Sequence, residues 1–248
     1  MKKILSIMLL IVISSMAMAQ STLQVKAVKE AARDSRGRVD SSIEVDYPVS
    51  SDKSLNARIR SFLVDIIVVN RGWVSDEVKP KMRVIDTQTF RNFIKTYASN
   101  IVREGQKEAN NDTEENSYNH EMTVKMVAQG SKFVCYKKES SSVMTSMSQN
   151  FYELDYYVIN KMTGEYTSQI FDEKYEDRVL SLMKKHSPKS RHKELFSEEC
   201  DCETIYWLDT RFVHFVIRDY DFAQIYYQGL IPINEARPYL SSMVKAML

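Results

Sequence analysis

Apolar residues recur along the chain in two rhythms. Ile43, Val45 and Tyr47 alternate with Glu44 and Asp46 up to Pro48, a period of two that predicts a half-buried strand. Ser50 to Ser54 offers N-cap chemistry, and Leu55, Ile59, Phe62, Leu63 and Ile66 then follow at helical spacing. Val64, Ile67 and Val68 widen that stripe, so the helix is expected to be buried on most sides. A connection, Asn70 to Pro80, holds Trp73. Asp86 is placed to cap a second helix with Phe90, Phe93, Ile94, Tyr97 and Ile101 on one face, fraying over Arg103 to Glu108.

The rhythm changes after the polar stretch Asn110 to Asn119, which is expected to be an exposed loop and an internal boundary. Met122, Val124 and Met126 alternate. Phe133 to Tyr136 makes a second short strand after the Gln129-Gly130 turn, and Tyr152, Leu154, Tyr156 and Val158 alternate in a third, closed at Thr163-Gly164. Tyr175, Val179, Leu182 and Met183 predict an amphipathic helix that ends before Pro188. Phe212 to Ile217 and Phe222 to Tyr227 read as strands, Leu230 to Ile233 as a last short one, and Asn234 as the cap of a terminal helix. The order of elements predicts an α+β fold rather than a βαβ alternation. A small N-terminal strand-helix lobe, residues 43–110, is expected beside a β-rich lobe with packed helices, residues 119–248, or the two as one compact unit. Residues 20–42 are expected to be a flexible lead-in.

The first nineteen residues change where the protein is placed. Lys2 and Lys3 precede an apolar run from Ile4 to Ile13, and Ala17-Met18-Ala19 offers the small residues that a signal peptidase reads. This run of ten residues, apolar except for Ser6, is about half of the ~20 that cross a bilayer, so 1–19 is read as a signal peptide and the protein as exported, periplasmic or extracellular, with no membrane span after cleavage. Loss of Lys2 and Lys3 from the 34 basic residues leaves 32 against 33 acidic ones. That balance provides no clustered excess of base for nucleic acid.

Candidate chemistry is sparse. No nucleophile elbow, zinc-protease helix, phosphate loop or dinucleotide fingerprint is present, and no cofactor or metal is expected. His186 and His192 lie among Lys184, Lys185, Lys189, Arg191 and Lys193, a setting hostile to a cation, while His214 falls in an apolar strand. Cys135, Cys200 and Cys202 are disulfide candidates, with Cys135 paired to one member of the C-x-C; free buried thiols and a soft metal site are the alternatives. Glu153 and Asp155, two apart on one strand face, could place two acids at a glycosidic bond, or could be the wet face of a sheet. The adjacent aromatics Tyr156-Tyr157, Tyr206-Trp207 and Tyr226-Tyr227 must split across a sheet, so one member of each is a candidate for an exposed binding row.

Three segments together resemble the RsiV-type extracellular domains. Ile43-Glu44-Val45-Asp46-Tyr47-Pro48, followed by Leu55-Asn56 and the helix to Ile66, resembles that family's opening strand and helix with an early Asn. Asp155 to Asn160, Met162-Thr163-Gly164-Glu165 and then Ser168-Gln169-Ile170-Phe171 resemble its central strand and turn. Gln228-Gly229-Leu230-Ile231-Pro232-Ile233-Asn234-Glu235 with Pro238-Tyr239-Leu240 resembles its closing element. The resemblance implies an α+β ectodomain whose second lobe is related in shape to a subdomain of the heat-shock cognate ATPase, without its nucleotide site. The family's best-known member is an anti-sigma factor whose ectodomain binds lysozyme; a transmembrane helix and sigma-binding segment are not found here, and Asp219 to Tyr227 departs from the family pattern.

The expectation is a secreted, non-enzymatic binding module at the bacterial envelope, recognising a protein, with a lysozyme-like muramidase as the named candidate, or a cell-wall glycan. An envelope polysaccharide hydrolase using Glu153 and Asp155 is the alternative. Candidate binding residues are Tyr226, Tyr227 and the acidic run Asp172, Glu173, Glu176 and Asp177, with Glu198, Glu199, Asp201 and Glu203 as a second acidic run suited to a basic partner.

Overall fold

The computed structural model describes residues 22–68, 79–111, 117–145, 150–197, 202–219 and 225–248. The signal segment, Trp73, Cys200 and the acidic residues Glu198, Glu199 and Asp201 lie outside the described residues. A six-stranded sheet runs in the order β1 (Val25–Arg33), β2 (Val39–Pro48), β3 (Tyr118–Gln129), β4 (Phe133–Met144), β5 (Asn150–Asn160) and β6 (Tyr166–Thr167). Every neighbouring pair is antiparallel except β2 with β3. That exception follows from the connection: parallel strands need a long crossover, and α1 (Lys53–Val68) and α2 (Thr87–Asn111) lie between them.

The expected flexible lead-in is instead ordered as β1 and the first half of β2. Inward positions of β1 fall to Lys26, Val28, Glu30 and Ala32, of which only Val28 is fully buried. An edge strand needs few apolar anchors, so its composition looks polar. Glu30 faces Arg91 on α2 at 3.4 Å. The polar centre of the segment is the hairpin turn. There Asp34 Oδ1 accepts from the N–H groups of Arg38 and Val39 at 2.7 and 3.0 Å, and Gly37 takes a φ of 70° that suits glycine. Residues 43–110 and 119–248 also share this one sheet rather than forming separate ones, because Val39–Val45 ladders with Tyr118–Val124.

One face of the sheet packs on α1 and α2. Asp52 caps α1 by accepting from Leu55 N at 2.9 Å, and Asp86 caps α2 by accepting from Thr89 N at 2.8 Å. The early Asn56 ties α1 to the end of β2. Its Oδ1 accepts from Ser50 Oγ at 2.7 Å, and its Nδ2 donates to Ser50 O at 2.7 Å. Phe62 sits at the centre, with the rings of Tyr136, Tyr157 and Tyr166 at 5.7, 5.7 and 5.0 Å.

The opposite face of β4 and β5 carries Phe133, Cys135, Leu154, Tyr156 and Val158 into a second core. It is shared with the antiparallel sheet β7 (Cys202–Leu208), β8 (Phe212–Asp219) and β9 (Ile225–Pro232), and with α3 (Glu176–Lys185). The two strands expected over Phe222–Tyr227 and Leu230–Ile233 meet in one strand, β9; residues 222–224 lie outside the described residues. The expected terminal helix is broken. Ile233–Ala236 forms a single turn, α5, after another single turn, α4 (His192–Leu195); a 3-10 turn follows, and α6 (Ser242–Met247) starts afresh with Ser241 Oγ accepting from Val244 N at 3.4 Å. Pro238 accounts for the break, since it has no N–H to bond back to Asn234. Asn234 therefore lies inside a turn instead of capping the helix.

Cys135 does not pair as expected: its thiol is free and buried, whereas Cys202 is disulfide-bonded. The Cys135 thiol lies against the backbone of Leu208, at the other end of β7 from Cys202. Six residues of strand separate them by ~20 Å, far beyond the ~5.5 Å between Cα atoms that a bridge needs. Burial pushes the Cys135 thiol up to about 12 from an ordinary 9.0, roughly a thousandfold less thiolate than an exposed cysteine. Alkylation followed by peptide mass mapping is expected to leave Cys135 unmodified in the native protein and to label it only after unfolding.

Candidate functional site

The outer face of the three-stranded sheet is built by register. Trp207 pairs with His214 across β7 and β8, and His214 with Leu230 across β8 and β9. The indole and imidazole stack 3.5 Å apart and 12° from parallel, and Tyr156 on β5 covers the other side of Trp207 at 5.7 Å and 10°. A column of three rings thus ends at His214. His214 Nε2 is 2.9 Å from Asp209 Oδ2, in the turn between β7 and β8. Burial works against the Asp209 carboxylate, but the His214 ring and the N–H groups of Arg211 and Phe212 outweigh it and hold its pKa below the ordinary value. The carboxylate in turn fixes the imidazole's orientation.

Beside the column is a cavity of about 260 Å³ lined by Trp207, His214, Phe215, Val216, Gln228, Gly229 and Leu230. Gly229 leaves room for the Phe215 ring on the core side: a Cβ there would lie 2.1 Å from its Cζ. Leu230 stands at the cavity 45% exposed and Gln228 is exposed beside it. Among the described lining residues His214 is the one titratable group, so the cavity suits an uncharged ligand.

A second cluster lies on the α1/α2 side of the large sheet, in the lower halves of β3, β4 and β5. Lys138 is fully buried, with its Nζ 3.0 Å from Glu153 Oε2, and both Glu153 oxygens are shut off from solvent. Burial raises the Glu153 pKa, aided by Asp155 and opposed by Lys138. Asp155 stands opposite Lys138 in the ladder and accepts from Tyr157 OH at 3.2 Å. His120 is likewise fully buried; Nδ1 meets Ser41 Oγ at 3.0 Å, and Nε2 has no hydrogen-bond partner among the described residues. Desolvation, and then repulsion from Lys138, lower its pKa from 6.5 to about 4.

These positions decide among the residues picked out from sequence. Glu153 and Asp155 are not on a wet sheet face; Glu153 is held by a buried lysine and cannot reach a glycosidic oxygen in solvent. Tyr226 and Tyr227 are both half-buried against the second core. Tyr226 donates to Asp219 Oδ2 at 2.8 Å, and Tyr227 packs on Phe215 at 5.8 Å. Asp172 caps a 3-10 turn and pairs with Lys174 at 2.7 Å, Glu173 accepts from Gln169 Nε2 at 3.0 Å, and Glu176 and Asp177 occupy the first turn of α3. Acids there complement the helix dipole, which explains the run locally. Glu203 is paired with Arg218, itself packed on the Tyr152 ring. His186 meets Glu235 at 3.1 Å. Lys138, His120 and the Trp207–His214 stack were not singled out from sequence, although His120 alternates with Tyr118, Met122 and Val124, and Lys138 with Val134 and Tyr136.

No protein-family model matches the chain, and no curated protein matches it. Among solved structures it is similar to a member of the DUF3298 family from Bacteroides fragilis. The identity is 14%, the match covers 92% of this chain and 98% of that one, and the TM-score is 0.59. It is also similar to a DUF3298 family protein from Pseudomonas aeruginosa PAO1, at 9% identity over 90% of this chain and 96% of that one, with a TM-score of 0.48. The first likeness shows an α+β fold shared with a family of unknown function. The resemblance to RsiV-type ectodomains rests on the sequence segments alone.

Proposed function

We propose that this chain is an exported, non-enzymatic binding module of the bacterial envelope, and that it takes a protein or cell-wall glycan ligand on the outer face of the three-stranded sheet. The observation that carries the reading is the ring column Tyr156–Trp207–His214 opening onto a cavity with an exposed Leu230 at its side. Aromatic and apolar groups with a few fixed polar ones are what small binding sites are made of. The hydrolase reading loses its support with the enclosure of Glu153. Export rests on the Lys2 to Ala19 pattern, and no helix among the described residues is long and apolar enough to cross a membrane.

Calorimetry on residues 20–248 tests the reading, with a lysozyme and with peptidoglycan fragments as titrants. Saturable binding to one of them is expected, weakened at least roughly tenfold by Trp207→Ala, the loss typical of an interface anchor. Circular dichroism would verify that the variant folds. Binding that ignores Trp207 but falls steeply with salt would move the site to the acidic run at α3, and no binding to either titrant would remove the reading.

A further inference from the structure

We infer that the cavity beside His214 takes a neutral N-acetylated amino-sugar unit of a glycan. The inference rests on the binding-module reading of this face and names its ligand class. Size comes first: about 260 Å³ is below the ~300 Å³ lower bound of drug-sized sites and admits one ring, not a helix or a chain segment. Charge comes second. Among the described residues the lining holds no Lys, Arg, Asp or Glu, so a phosphate, a carboxylate or a basic protein loop finds no counter-charge among them.

The arrangement of the remaining groups narrows the class. One face of the His214 ring is covered by Trp207, and Leu230 is its register partner on β9. Asp209 holds that ring in place, giving the cavity a fixed ring at its border beside the exposed Leu230, against which the apolar side of a pyranose can rest. Val216 and Gln228 are paired directly across β8 and β9, so an apolar side chain and a primary amide stand together at the wall. An acetamido group has the matching halves: a methyl for Val216 and Leu230, and an amide that can both donate to and accept from Gln228. A plain hexose or a free amino sugar lacks the methyl, and the free amine adds a charge.

The test is titration of residues 20–248 with three trisaccharides: N-acetylglucosamine, glucosamine and glucose trimers, all β-1,4-linked. The N-acetylated trimer is expected to bind at least roughly tenfold tighter than the other two, the discrimination that a missing group in a fitted pocket produces. Gln228→Ala and Leu230→Asp, both at exposed positions, are each expected to weaken it at least fivefold with the fold unchanged by circular dichroism. Equal binding of the three sugars would overturn the acetamido assignment. Binding of lysozyme without any of the sugars would overturn the glycan class while leaving the binding module standing, and no binding to sugar or protein would overturn both.

Discussion

Lys138→Met is expected to destabilise the protein by about 3–5 kcal/mol, the usual cost of stranding one member of a buried ion pair. Lys138 is fully buried and its Nζ lies 3.0 Å from a Glu153 carboxylate whose oxygens are out of contact with water. Removing the cation leaves that carboxyl in a low-dielectric setting beside Asp155, both of which already raise its pKa. Adding Glu153→Leu removes the stranded charge and is expected to restore most of the loss, because a well-packed apolar pair of similar volume is often as stable as the ion pair it replaces. Urea unfolding of wild type, both single variants and the double variant closes the cycle. The sign of the pH dependence follows as well. A carboxyl with a raised folded pKa destabilises above its unfolded value and ceases to do so once protonated, so the deficit of Lys138→Met should shrink as pH falls from 7.5 to 5. A single-variant loss below about 1 kcal/mol would mean that water reaches the pair.

The pair and the candidate binding face share a wall. In β5, Tyr152, Leu154 and Tyr156 point to the second core, and Glu153 and Asp155 to the α1/α2 side. Five consecutive residues therefore supply one ring of the aromatic column and one charge of the buried cluster. The fixed register of β4 with β5, Lys138 opposite Asp155 and Ser140 opposite Glu153, places Tyr156 under Trp207. A one-residue slip would exchange the two faces; the buried polar cluster gives β5 a cost for slipping that an all-apolar pair would not.

How far this was legible in the sequence depends on what each element needed to declare itself. α1, α2, β2, β3 and α3 announce themselves by long apolar periods and by caps such as Asp86. β1 does not, since an edge strand with one fully buried valine carries almost no period. β4 was expected to stop at Tyr136, because Lys137 to Ser142 is polar. It runs on to Met144, and its inward positions there are Lys138, Ser140 and Ser142, each with one polar register partner, Asp155, Glu153 and His120 respectively. The buried cluster was invisible for the same reason: sequence reading equates polar with wet, and only the facing strand shows otherwise. The Trp207–His214 column needed the β7–β8 register, which no local pattern contains. Tyr226 and Tyr227 were expected to face opposite ways by strict alternation, but the register shifts between Ile217 and Arg218 and both side chains pack against the second core.

Acid is expected to weaken the protein through His120 before its ordinary carboxylates protonate. In the unfolded chain this imidazole takes up a proton near 6.5; in the fold, desolvation and the neighbouring Lys138 hold its pKa at about 4. Between those two values the unfolded state binds more protons, so stability is fully present above pH 6.5 and is lost progressively as pH falls toward 4. The difference amounts to roughly 3 kcal/mol. No carboxylate meets the ring among the described residues: Nδ1 is engaged with Ser41 Oγ at 3.0 Å, and Nε2 has no hydrogen-bond partner among them. Glu153 pulls the other way, since its raised pKa means that acid relieves a buried charge, and the raw pH profile sums the two. His120→Gln separates them. It keeps a polar partner for Ser41 and removes the titration, so the stability difference between wild type and variant, followed by urea unfolding from pH 7.5 to 4.5, should narrow or reverse below pH 6.5 in favour of the variant. A difference that stays flat across that range would show that His120 is not titrating between its folded and unfolded states, and would leave the acid loss to the carboxylates.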